Sequence, residues 1–176
     1  MKIEKKLILA LILLMGLQGF VSAQKFAYVD TELILSQMSE YKAAQQELDR
    51  LSAQWQKEIE VKYSEIEKLK TAYQAEQIIL TDEMKKKRES EIAQREKEAK
   101  DLQKEKFGVG GELFKKRQEL IKPIQDKVYS AIKTIAERKN YVIVFDKASD
   151  MTLLYTNPKY DISEDVLDLV NTGGKK

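Results

Sequence analysis

Residues 24–107 read QKFAYVDTELILSQMSEYKAAQQELDRLSAQWQKEIEVKYSEIEKLKTAYQAEQIILTDEMKKKRESEIAQREKEAKDLQKEKF. The stretch holds no glycine and no proline, and past its first residues it is written in helix-formers and charges. A short apolar run opens it, Phe26-Ala27-Tyr28-Val29, and another follows well beyond it, Tyr141-Val142-Ile143-Val144-Phe145. Aromatic and β-branched runs of that length read as strands. Sheet-like ends around a middle of surface helix leave too little apolar material for a pocketed globule. The pattern predicts a long projecting arm on a small body.

A seven-residue repeat organises the arm. Tyr41, Leu48 and Trp55 fall at sevens, with Ala44 and Leu51 interleaved, as in a coiled-coil seam. After Trp55 the phase slips by four, and Ile59, Ile66, Tyr73 and Leu80 resume the sevens. A four-residue insertion is a stutter, which locally unwinds a supercoil without breaking the helix. A second series runs through Phe107, Phe114, Ile121, Val128 and Ile135, with Ile124 and Ala131 between. Between the series, in the charge-rich run Asp82 to Lys106, the seam thins to Ile92, Ala99 and Leu102.

One continuous helix over 41–138 would be on the order of 150 Å long at 1.5 Å per residue. It would hold the two strand regions at opposite ends, where neither makes a stable sheet alone. A hairpin removes both problems. Its reversal is expected at Ile79-Leu80-Thr81-Asp82-Glu83, where Thr81 caps a new helix and the two acids favour its positive end. Each arm is then roughly 60 Å long.

Gly108-Val109-Gly110-Gly111 interrupts the returning helix. A phosphate-cradling loop is one reading, but the spacing fits neither glycine fingerprint and no Lys-Ser/Thr follows. A hinge or helix break is the other. Pro123, inside the same helix, is expected to kink it. Gly108, Gly110, Gly111 and Pro123 are therefore the candidate hinge residues. After Asn140, Tyr141 to Asp146 reads as a strand buried on both faces, and 147–150 as a connection to a further strand-like run, 151–155. Asn157-Pro158 stops it, and Asp161 to Val170 forms a short capped amphipathic helix.

The first residues carry Lys2, Lys5 and Lys6, then an apolar run from Leu7 to Phe20, then Val21-Ser22-Ala23. That is a secretory signal with a cleavage site, predicting a mature start at Gln24. The rival, a retained membrane anchor, is opposed by an apolar run shorter than the roughly 20 residues a spanning helix needs. Lys2, Lys5 and Lys6 against Glu4 account for the whole formal net charge of +2, so the mature chain is near neutral. Nucleic-acid binding would need a sustained basic face and is not expected. With no cysteine and no histidine, disulfides, imidazole catalysis and His-based metal sites are excluded. No metal or other cofactor is implied. A small exported fold without disulfides must find stability elsewhere, and oligomerisation is the remaining source.

The order of parts resembles the Skp/OmpH family of periplasmic chaperones. The resemblance is carried by the signal, Phe26-Ala27-Tyr28-Val29-Asp30, Ile34-Leu35, the charged hairpin, Leu120-Ile121-Lys122-Pro123-Ile124, and Tyr141-Val142-Ile143-Val144-Phe145-Asp146. The ending Tyr160-Asp161-Ile162-Ser163-Glu164-Asp165-Val166-Leu167 is its most family-like stretch. It implies an α+β, mostly α, fold: a small barrel-like β body shared by a homotrimer, with a long antiparallel helical-hairpin (coiled-coil) arm from each chain. The division is 1–23 signal peptide, 24–40 and 139–176 body, and 41–138 arm with its turn near 79–83. It further implies a non-enzymatic, ATP-independent holdase that shelters unfolded outer-membrane proteins between the arms in the periplasm. The near-neutral mature charge argues against contact with lipopolysaccharide or a membrane surface. Lys85-Lys86-Lys87-Arg88 reads either as a site for acidic headgroups or as a solvated face balanced by Glu89 and Glu91.

Phe26, Tyr28, Val29, Ile34, Tyr141, Val142, Ile143, Val144 and Phe145 are the expected core of the body and of its oligomer. Tyr63, Tyr73, Ile78, Ile79 and Phe107 are the candidate client contacts, each with a competing role in packing the hairpin. An alternative is a structural coiled-coil adaptor of the cell envelope that binds one folded partner. An exported hydrolase would rest on carboxylate pairs such as Glu164 and Asp168, which a solvated helix face explains equally.

Overall fold

The computed structural model describes residues 24–149 and 152–173. The expected signal at 1–23 lies outside them, as do Asp150, Met151 and the last residues of the tail. In chain order the elements are strand β1 (Lys25–Val29), helices α1 (Thr31–Gln37), α2 (Ser39–Glu76), α3 (Asp82–Phe107) and α4 (Glu112–Lys139), strand β2 (Tyr141–Asp146), a 3-10 turn (Pro158–Tyr160) and helix α5 (Ser163–Asn171). The chain is mostly helical around a small sheet, and α2 with α3 forms the long antiparallel hairpin.

β1 and β2 pair in parallel, with Phe26 opposite Ile143, Ala27 opposite Val144 and Tyr28 opposite Phe145. A parallel pair needs a crossover between its strands, and here the crossover is the entire arm. The register shifts between Lys25, opposite Tyr141, and Phe26, which leaves Val142 unmatched. On the other side of β1, Tyr28 bridges to Asp161, and the Ile162 N–H donates to the Tyr28 carbonyl at 3.0 Å.

The ends are set by local chemistry. The Asp30 carboxylate accepts from the Leu33 N–H at 2.9 Å and starts α1. Asn140 takes a left-handed conformation, φ 55°, and its N–H closes α4 onto the carbonyls of Ala136 and Glu137. Asp146 binds the Thr31 N–H at 3.2 Å and the Thr31 hydroxyl at 2.7 Å, tying the end of β2 to the start of α1. Ser163 joins the same knot: its hydroxyl accepts from the Asp30 N–H and donates to Asp161.

One core runs from the body into the base of the arm. Ala27, Val29, Ile34 and Met38 pack with Ala44 and Leu48 of α2, with Ile121, Ile124, Val128, Ala131 and Ile135 of α4, and with Ile162, Val166 and Val170. Each fully buried aliphatic side chain there contributes roughly 1.5–3 kcal/mol. Farther out, Trp55, Ile59, Ile66 and Ala99 are buried as well, but they lie outside that cluster.

Three expectations need correction. Residues 152–155 form no strand; Leu154 and Tyr155 are 95% and 81% exposed, and among the described residues no strand pairs with them. β2 is not buried on both faces: Val142 and Ile143 are exposed, and Tyr141, Val144 and Phe145 only partly covered, since one flank of the sheet is open within a single chain. Phe114 is not on the seam. Leu113 and Leu120, also seven apart, pack against the core instead, while Phe114 is exposed. Ile121, Val128 and Ile135 of the expected series are buried, so the departure is confined to the first turn of α4, where Leu113 packs against the core and Phe114 does not.

Candidate functional site

The outer hairpin holds itself with few contacts. Among the described residues, its buried apolar side chains are Ile59 and Ile66 of α2 and Ala99 of α3, with Trp55 at its base. Two buried isoleucines contribute about 3–6 kcal/mol. Around them are exposed polar links: Lys70 to Glu96 at 2.9 Å, Tyr63 to Gln103 at 3.3 Å, Tyr73 to Glu89 at 2.6 Å and Arg88 to Glu76 at 3.9 Å. Pairs of that kind are worth about 0–1 kcal/mol each. An arm tied this lightly opens locally at low cost.

The charged partners report the same links. Lys70 donates to Glu96 and holds its carboxyl below the ordinary range. The Lys70 ammonium is raised in turn, first by Glu96 and then by Glu67. The hydrogen bond to Glu89 raises the Tyr73 phenol. At the base of the arm, Arg50 lowers Glu47 through the hydrogen bond it donates.

At the tip, α2 ends at Glu76 and α3 begins at Asp82, with the Thr81 hydroxyl accepting from the Met84 N–H at 3.3 Å. The connection needs no glycine; Gln77 is still helical in its backbone, and the Ile79 N–H returns to the Glu76 carbonyl. This turn presents Ile78 and Ile79 to solvent, 93% and 82% exposed, and Met84 in the first turn of α3 is exposed too. The five candidate contact residues therefore divide. Ile78 and Ile79 are unoccupied by the fold. Tyr63 and Tyr73 are half-buried and hydrogen-bonded across the hairpin, and Phe107 sets its edge against Trp55 at 6.2 Å between ring centroids.

Between α3 and α4 the helix stops. The Gly108 N–H closes α3 onto Lys104, Gly110 has φ 71°, and Gly111 begins α4. A Cβ on Gly108 would lie 2.3 Å from the Lys104 carbonyl oxygen, so any side chain there forces the backbone apart. Val109 is fully exposed on this loop. Pro123 lies inside α4, which remains helical through it. Val109 and Tyr129 are exposed apolar residues that sequence periodicity did not single out, and Phe114, which periodicity placed on the seam, is exposed with them.

On the body, Phe26, Tyr28, Phe145, Leu153, Tyr155 and Tyr160 line an open groove of about 530 Å³. The Phe26 and Phe145 rings sit 6.3 Å apart across the parallel strands. Among the described residues no group of histidine, cysteine, aspartate or glutamate is arranged to hold a metal ion, and no helix is long and apolar enough to cross a membrane. The chemistry on offer is apolar and polar contact: an apolar tip, a light seam and an uncovered sheet.

Three likenesses bear on this arrangement. An uncharacterised protein of Aquifex aeolicus (strain VF5) is 32% identical over 149 residues, covering 85% of this chain and 87% of its own. The crystal structure of an OmpH-like outer membrane chaperone from Caulobacter crescentus CB15 superposes with a TM-score of 0.69 over 86% of both chains at 10% identity, a likeness of fold. The sequence model of the family described as "Outer membrane protein (OmpH-like)" matches residues 25–170, nearly all the described chain. With its parallel strand pair closed by an arm-length crossover, this chain belongs to the OmpH-like family.

Proposed function

We propose that the chain is an ATP-independent holdase of the periplasm. It associates through its open sheet into a homotrimer and holds unfolded outer-membrane proteins among its arms. The observation that carries this is the arm itself: Ile78 and Ile79 stand uncovered at the end of a hairpin whose own seam is nearly spent on holding it closed. Several such arms on one body act together, so contacts too weak to hold singly add through effective concentration while each stays easily broken. Release then needs no nucleotide, because a client that folds elsewhere leaves the binding equilibrium. Membership of the OmpH-like family and the chaperone description of the Caulobacter crescentus relative support the reading.

The test is aggregation. Urea-unfolded outer-membrane proteins are diluted into buffer with and without the mature protein, omitting ATP, and light scattering is followed. Suppression for several unrelated clients is expected. Failure with every client would sink the holdase, and stable binding to a single folded envelope protein would replace it with an adaptor.

A further inference from the structure

The expected leader ends at Val21-Ser22-Ala23, which makes Gln24 the first residue of the mature chain. A glutamine in that place carries both reactants of a ring closure. Its α-nitrogen and its side-chain amide carbon are separated by three carbons, so attack of one on the other closes a five-membered lactam. Asparagine would need a strained four-membered ring, and glutamate offers a poorer leaving group. The α-amine is in part unprotonated near neutral pH, as the attack requires. Holding both reactants in one residue favours this closure over attack from outside.

The fold leaves Gln24 free to react. It is exposed, lies ahead of β1, and makes no hydrogen bond among the described residues. The strand behind it has no slack. β1 begins one residue later, with Lys25 opposite Tyr141. Lys25 and Phe26 are exposed, and Ala27, Tyr28 and Val29 after them are buried. An exopeptidase working from Gln24 would reach the buried strand within its first few cuts. On the way it would take Phe26, whose ring sits 6.3 Å from that of Phe145 across the sheet. Gln24 and Lys25 also stand at the lip of the groove lined by Phe26, Tyr28, Phe145 and Tyr155. A free terminus there adds an α-ammonium next to the Lys25 ammonium, and a charge beside apolar surface costs free energy wherever that surface becomes covered.

We propose that the mature chain carries a cyclised N-terminus, with Gln24 converted to pyroglutamate. The α-nitrogen forms a bond to the side-chain amide carbon, the bond from that carbon to its own nitrogen breaks, and ammonia leaves with the proton that the α-nitrogen gives up. No oxidant or reductant enters the balance. The lactam removes the terminal charge and leaves no primary amine for an aminopeptidase to engage. It thereby caps the strand on which the body is built and neutralises one of two adjacent cations at the rim of the open sheet. The inference rests on removal of the leader after Ala23, and on neither the holdase nor the trimer.

The full chain, leader included, is expressed in a Gram-negative host, recovered from the periplasm and read by intact mass spectrometry after days of incubation at growth temperature. The expected species is chain 24–176 lighter by one ammonia. It should be blocked to N-terminal sequencing until pyroglutamyl aminopeptidase exposes Lys25. Gln24→Asn keeps the carboxamide but cannot close the ring, so it should hold its full mass and sequence normally. Challenged with an aminopeptidase of broad specificity, the blocked protein should lose no residue while Gln24→Asn is trimmed from its first. A chain that starts at Gln24 with full mass and a free amine would overturn the cap and leave the leader reading intact. A start at any other residue would overturn both. Equal trimming of the two proteins, or none in either, would overturn the protective role.

Discussion

Asp146 ends β2 with a carboxylate that does three jobs: it accepts from the Thr31 N–H, the Thr31 hydroxyl and the Ala148 N–H. Removing it orphans donors at the junction of sheet and helix, so Asp146→Ala should cost about 1–3 kcal/mol of stability. Urea unfolding of the mature protein checks this, and a variant within a few tenths of wild type would show the knot to be ornamental. Asn140 offers a contrasting case. Its φ of 55° suits Asn or Gly and penalises a branched side chain, so Asn140→Val should destabilise by about 1–2 kcal/mol and Asn140→Gly hardly at all. At this scale the legible parts were the local ones. Thr81 announced itself as a cap because its partner lies three residues away, and Asp30 caps α1 over the same short span. The bond from Thr31 to Asp146 joins residues 115 apart, and no local pattern encodes it.

The outer hairpin is the element in which small changes should tell most. Ile66 is almost wholly buried in a seam with few other apolar members, so Ile66→Ala should cost about 2–4 kcal/mol. That is comparable with what the remaining buried side chain of the pair supplies, so hydrogen exchange should show α3 opening while α4 stays protected. Loss of protection spread evenly over both helices would mean that the arm unfolds as one piece. Acid acts on the same element. Glu96 has its carboxyl lowered by Lys70, so its contribution is fully present above the ordinary carboxylate range and is lost as pH falls through the depressed value. Thermal melting of the arm should therefore weaken between pH 7 and pH 3, and Glu96→Gln should reduce that dependence; an identical pH profile in the variant would remove Lys70–Glu96 from the account. The heptads made the existence of this element readable, and Thr81 its return. The side chains facing inward were less so. Just past the glycine break Leu113 and Phe114 are neighbouring apolar residues, and only the packing of α4 decides which turns inward.

Seen whole, the chain leaves its sheet unfinished. Phe26, Val142, Ile143, Leu154 and Tyr155 are apolar and exposed on one small body, while Val29, Ile34 and Val166 close its other side. Several large apolar side chains exposed on one small body mark an interaction site. The meeting of two distant strand regions across the arm followed from the instability of either alone, so that much was legible before the structure; their parallel orientation was not. The uncovered flank was not. Val142 and Ile143 read as buried because an apolar run does not say whether its cover comes from the same chain or another. Self-association through this flank reconciles the two, and a homotrimer is the proposed form. Light scattering on the purified mature protein should give the mass of three chains. Val142→Asp combined with Ile143→Asp would place charge in the proposed seam and should yield monomers with weakened holdase activity. Helical arms should persist in that variant, since Val142 and Ile143 are themselves exposed and lie outside the buried core at the arm base. A variant that keeps the wild-type mass would show that the copies meet elsewhere. A wild-type protein that is a stable monomer would remove the shared body altogether, leaving the open sheet to be explained by a different partner.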